Sequence, residues 1–88
     1  MNQSILFSDI QSWDEHRQVV LFSAQLSGAL INCLISKKAL ENISGCLLNE
    51  EKQILETFSR FRFDIEDLAE NLIEDEAFNQ QGMIEVVS

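Results

Sequence analysis

The stretch "VVLFSAQLSGALINCLIS" (19–36) leaves this chain few ways to fold. It is too apolar for a solvated loop. Ser27-Gly28 breaks it at the midpoint, and that pair suits a two-residue hairpin loop because glycine tolerates positive φ. With that loop, Leu26 faces Ala29, Ala24 faces Ile31, Phe22 faces Cys33 and Val20 faces Ile35. Side chains alternate along a strand, so these pairs share one face, and the face is wholly apolar. The opposite face pairs Gln25 with Leu30, Ser23 with Asn32, Leu21 with Leu34 and Val19 with Ser36, and is mixed. A slip of one residue would mix the two faces, so the pattern selects this register.

The flanking segments supply the rest of the fold. "SILF" (4–7) predicts a short strand, and the polar "SDIQSWDEHRQ" (8–18) predicts a connection whose one large ring is Trp13. Ser36 is expected to cap a short helix over 37–44 that stops at Gly45, and Asn49 to cap a second helix. From Ile54 the apolar residues recur at 54, 58, 61, 65, 68 and 72, with Leu55 and Ala69 widening the stripe. The chain holds no proline, and nothing between Glu50 and Ala77 would break a helix. One helix of about 25 residues is therefore expected. "MIEVV" (83–87) closes the chain as a β-branched strand. The expected fold class is α+β, a single domain over 1–88. Its small antiparallel sheet, in the order β-β-β-α-α-β, carries a short helix and one long amphipathic helix packed on one face.

Charge narrows the function classes. Fifteen acidic residues against six basic ones give a net charge of −9, which repels phosphate backbones and anionic lipid and favours basic partners. Nucleic acid is thereby disfavoured, unless Arg17, Lys37, Lys38, Lys52, Arg60 and Arg62 converge on one face. No segment approaches the roughly 20 apolar residues of a membrane span, and no secretory signal is visible. Cys33 and Cys46 lack a CxxC spacing and read as free thiols in a reducing cytoplasm, with Cys33 in the core. A cytoplasmic location is expected.

The stretch "TFSRFRFD" (57–64) sets arginines among phenylalanines, as some nucleic-acid surfaces do. At about 100° per residue, however, Phe58 and Phe61 fall inside the helical stripe. Arg60 has Glu56 and Asp64 one turn away, Arg62 has Glu66, and Lys52 has Glu56, so these acids are expected to neutralise the bases. Phe63 points away from the stripe. It is either covered by the N-terminal segment near Trp13 or left to anchor a partner beside Arg60, Arg62 and Lys52. The acidic run over 64–77 contains no glycine to turn a calcium loop, and reads as a solvated face or a dock for a basic protein. His16 stands beside Asp14 and Glu15 with no nucleophile motif, and no GxGxxG, P-loop or HExxH occurs. No catalytic residue, metal or cofactor is expected, and no enzymatic activity.

The opening "MNQSILF", "WDE" (13–15), "GALINCLIS" (28–36) and above all "FSRFRFDIEDLAENLI" (58–73) resemble domain-of-unknown-function family 1488, a family of short bacterial proteins. The resemblance spans nearly the whole chain. It implies a small α+β domain, brings no catalytic residue or cofactor with it, and implies that Trp13 and the Arg-Phe-Asp group at 62–64 matter together. The expectation is a non-enzymatic protein-interaction or accessory domain, working with a protein partner or a second copy, with Phe63, Arg60, Arg62 and Trp13 as contacts. The alternative is a nucleic-acid-associated transcriptional regulator. A small-molecule sensor would need a larger apolar pocket than a chain this short readily spares.

Overall fold

The structure is a computed structural model and describes residues 5–87. Its centre is the hairpin of β3 (Val19–Leu26) and β4 (Ala29–Ser36), in the register the face pattern selects. Ser27 (φ 53°) and Gly28 (φ 82°) are both left-handed, as a type I′ turn requires. Val20, Phe22, Ala24, Ile31, Cys33 and Ile35 are buried on the apolar face and form most of the sheet's share of the core.

The N-terminal segment lies along the free edge of β3 in two pieces. β1 (Leu6–Phe7) pairs Leu6 with Gln25 and Phe7 with Ala24, while β2 (Ser12–Asp14) pairs Ser12 with Leu21, Trp13 with Val20 and Asp14 with Val19. Residues 8–11 thus stand opposite 22–23 alone, and the edge bulges outward there. Of the strand expected over 4–7, Ser4 lies outside the described residues. The connection expected over 8–18 instead contains β2. A three-residue edge strand with a single apolar side chain is too short to show a period in sequence.

β5 (Ile84–Val86) pairs with β4 in parallel, Ile84 opposite Cys33 and Val86 opposite Ile35. The sheet is therefore mixed rather than wholly antiparallel. Parallel neighbours need a long crossover, and the helices between β4 and β5 supply it.

The first of these helices, α1 (Lys37–Ser44), has the expected caps. The Ser36 hydroxyl accepts from the Ala39 N–H at 3.0 Å, and the Gly45 N–H (φ 73°) donates to the Glu41 carbonyl at 2.8 Å. The second helix, α2 (Glu51–Arg60), begins one residue later than expected. Glu50 holds the cap position, and Asn49 instead donates its backbone N–H to the Gln53 side chain at 2.9 Å.

The single long helix expected over 50–77 is two helices, α2 and α3 (Arg62–Glu74), meeting at Phe61 (φ −105°, ψ 19°). The junction is a kink and not a loop, because Phe61 still donates to Thr57 and accepts from Ile65. Buried Thr57 returns its hydroxyl to the Gln53 carbonyl at 2.8 Å, a local bond that bends helices. The buried positions follow the expected stripe as far as Ala69 and depart from it at Leu68 and Ile73. Ile54 and Phe58 are buried before the kink; Ile65, Ala69 and Ile73 are buried after it. Leu68, expected in the stripe, is 37% exposed, while Ile73 is 3% exposed. α2 rests on β2 and α1, and α3 on β5, so each half follows a different part of the twisted sheet. Phe58 meets Phe22 with ring centroids 5.2 Å apart, and Phe7 continues the aromatic row at 6.3 Å.

Candidate interaction surface

The expected contact residues take different positions. Arg62, the first residue of α3, turns its guanidinium into the bulge of the edge strand. It donates to the carbonyls of Ser8 (3.3 Å) and Asp9 (3.4 Å) and to the Gln11 side chain, and it meets Glu66 at 3.5 Å. Its carbon Cζ lies 5.3 Å from the centre of the Phe58 ring. A planar fork of donors suits this task, since a bulge leaves several carbonyls unpaired at once. Partial burial pushes the Glu66 carboxyl above its ordinary range, and Arg62 offsets only part of that.

Trp13 is half-buried against the core, and its indole N–H donates to Glu15 at 2.7 Å. Arg62 clasps the residues just before β2, the strand that carries Trp13, so the two side chains secure one segment. Phe63 is 78% exposed, and no described residue of the N-terminal segment covers it. Arg60 is exposed and lies 5.7 Å from the Phe61 ring centre. Of the expected helical ion pairs, Arg62–Glu66 forms. Arg60 and Lys52 reach no carboxylate at ion-pair distance among the described residues. The acids flanking His16 are engaged elsewhere. The Asp14 carboxylate accepts the backbone N–H and the guanidinium of Arg17, which hold it below its ordinary range, and Glu15 accepts from Trp13. Burial pushes the Cys33 thiol up to about 12, while Cys46 is exposed.

The feature missed at the level of sequence is the uncovered face of the sheet. The helices bury one face only. On the other, Val19 and Leu34 are buried at one end, while at the opposite end Leu6 (64%) and Leu30 (67%) are exposed and flank Gln25 in one row across three strands. Beside them are Ser12, half-buried Leu21, Ser23 and Asn32. The bulge brings Ile10, 78% exposed, to a shallow groove of about 290 Å³ shared with Ser8, Ser12, Leu21, Ser23 and Asn32. None of these residues is charged. Asp9, exposed on the bulge between Ser8 and Ile10, accepts from Arg62 through its carbonyl. Asp14, Arg17 and Glu85 stand at the far end of the face. The available signal was the mixed second face of the hairpin, where Leu30 stands opposite Gln25 and is exposed among the described residues.

Residues 5–86 match the family described as "Protein of unknown function (DUF1488)". The chain belongs to that family. Among DUF1488 relatives, "Uncharacterized protein YrdB" of Escherichia coli (strain K12) is 36% identical over 85 residues, 96% of each chain. The protein of the same description from Shigella flexneri is 35% identical over the same share. A crystal structure of a DUF1488 protein of unknown function from Shewanella loihica PV-4 superposes with a TM-score of 0.94 at 46% identity, covering 99% of this chain and 96% of the other. The two-layer architecture is thus the DUF1488 fold.

Two further properties of this DUF1488 domain bear on what it can do. No helix among the described residues is long and apolar enough to cross a membrane. No group of three or more His, Cys, Asp or Glu among them is placed to hold a metal ion.

Proposed function

We propose that this DUF1488 protein is a non-enzymatic, cytoplasmic interaction domain with an accessory or regulatory role, and that it engages a protein through the uncovered face of its sheet. The observation that carries the reading is the Leu6–Gln25–Leu30 row with Ile10 beside it. These are exposed aliphatic side chains on a rigid sheet, interleaved with amides and hydroxyls and free of charge. Scattered exposed leucines are ordinary, but a contiguous group on one flat face marks a contact surface. Phe63 and Arg60, exposed on the helical layer, are a second place where a partner can rest, whereas Arg62 and Trp13 hold the fold together.

Site-specific photocrosslinking in cells tests the proposal. A photoreactive side chain at Leu30 or Leu6 is expected to capture protein at defined masses, and the same group at Lys38 or Glu70 is not. Equal or absent capture at all four positions would remove the sheet face as an interaction surface.

A further inference from the structure

We propose that residues 5–11 form a hinged flap on the edge of the sheet, with Arg62 as its latch, and that the flap's position decides whether the interaction surface is complete. The inference rests on the reading of the sheet face as an interaction surface, and it names what regulates that face. Leu6 and Ile10 ride on the flap, whereas Gln25 and Leu30 belong to the β3–β4 hairpin. An open flap takes Leu6 and Ile10 off the face and leaves Gln25 and Leu30 in place.

The edge segment is held unequally along its length. β2 is tied to β3 by a short turn, in which the Gln18 N–H donates to the Asp14 carbonyl at 2.8 Å and Arg17 meets the Asp14 carboxylate at 2.9 Å. Trp13 of the same strand packs against the core. β1 lies farther from any turn. It pairs with β3 over two residues, against eight in the hairpin, and the Ser8 N–H adds one bond to the Ser23 carbonyl at 3.0 Å. Segments secured by few backbone bonds open below the free energy of global unfolding. The β2 end is therefore the hinge, and β1 is the end that swings. Ile5 and Phe7, half-buried against the core, keep the closed flap the major state.

Among the described residues, the polar link from the flap to the helical layer is Arg62. It gathers the carbonyls of Ser8 and Asp9 and the Gln11 side chain, all within the bulge. Acceptors that share one guanidinium are lost together, so the latch releases in one step. Opening leaves no buried polar group unpaired. Ser8 is half-buried and Asp9 exposed, so water takes over their carbonyls, while Arg62 keeps Glu66, 3.5 Å away on its own helix. A latch satisfied on both sides separates its two states by a small free energy, as a switch requires.

Hydrogen exchange read amide by amide is the test. In the purified chain the Ser8 amide is expected to exchange at least about tenfold faster than the β3–β4 amides and to ignore urea below the unfolding transition, because a small opening exposes little surface. Arg62→Lys is expected to speed Ser8 at least about fivefold. Ile73→Ala, which lowers global stability from a buried position in α3, is expected to leave Ser8 unchanged. Ser8 protected as well as the hairpin, exchange that tracks urea, or equal effects of both substitutions would overturn the flap. In cells, Arg62→Ala is expected to lower capture by a photoreactive group at Ile10 at least about twofold more than capture by one at Leu30. Equal loss at both positions would overturn the link between flap and surface. If Leu30 captures nothing while Ser8 behaves as expected, the interaction surface falls and takes that link with it, and the flap stands.

Discussion

Arg62 shows how a residue read as a candidate contact becomes part of the framework. Its guanidinium satisfies two carbonyls and an amide of the bulge while lying over Phe58. A lysine cannot span these acceptors, so Arg62→Lys is expected to cost about 1–2 kcal/mol and Arg62→Ala about 2–3 kcal/mol in urea unfolding. Phe63→Ala should stay within about 0.5 kcal/mol, because the ring it removes is solvated. The carboxylates have opposite pH signatures. Glu66 is raised above its ordinary 4.5, first by burial. Its contribution to stability is therefore fully present below that value and lost as pH rises through the folded value. Wild type should accordingly gain on Glu66→Gln as pH falls from about 7 to about 4, measured by urea midpoints. Asp14 is lowered from its ordinary 3.8 by the backbone and side chain of Arg17, so its contribution is present above that value and lost on acidification. Asp14→Asn should therefore cost stability near neutral pH and lose its effect in strong acid. At the thiols, a colorimetric thiol reagent should modify Cys46 at once and Cys33 only on unfolding, since burial both shields Cys33 and keeps it protonated.

The helical layer is where periodicity and structure part. A spacing of 4, 3, 4, 3, 4 is what a straight helix would use to keep one stripe inward, and it leads to Leu68 and Leu72. In α3 the buried positions are Ile65 and Ala69, as the stripe requires, together with Ile73; Leu72 is half-buried and Leu68 exposed. Ile73→Ala is then expected to cost about 2–4 kcal/mol, and Leu68→Ala under about 1 kcal/mol, by urea denaturation. The reverse order would restore the straight helix. Thr57 was the visible clue, a β-branched hydroxyl residue at a buried helical position, but its back-bond to Gln53 depends on a burial that the sequence does not state. The hairpin behaved differently. Every constraint on it lies within eighteen consecutive residues, so its register, turn and buried face were all legible.

For the molecule as a whole, the question is where the charge lies and where it is missing. Arg17 is taken up by Asp14 and Arg62 by the bulge, while Lys52 and Arg60 share a depression with Glu56. The purified protein is expected to pass through a DNA or RNA column at about 0.05 M salt; retention that weakens steeply as salt rises would favour the regulator reading instead. The Leu6–Gln25–Leu30 end of the sheet face is the counterpart to this acidity, a row without charge on a heavily charged chain.

Local chemistry was enough to determine the caps of α1, the I′ turn and the pairing of β3 with β4, because short-range sterics and alternation admit one solution for each. The tertiary structure alone decided the rest. It split the edge strand around a bulge, laid β5 parallel to β4, broke the long helix at Phe61 and sent Arg62 inward across more than fifty residues of chain. Each of these depends on what packs against a segment rather than on the segment's own pattern. The same holds for the uncovered face, since the second face of a hairpin is covered or open according to how many layers the remaining chain can build.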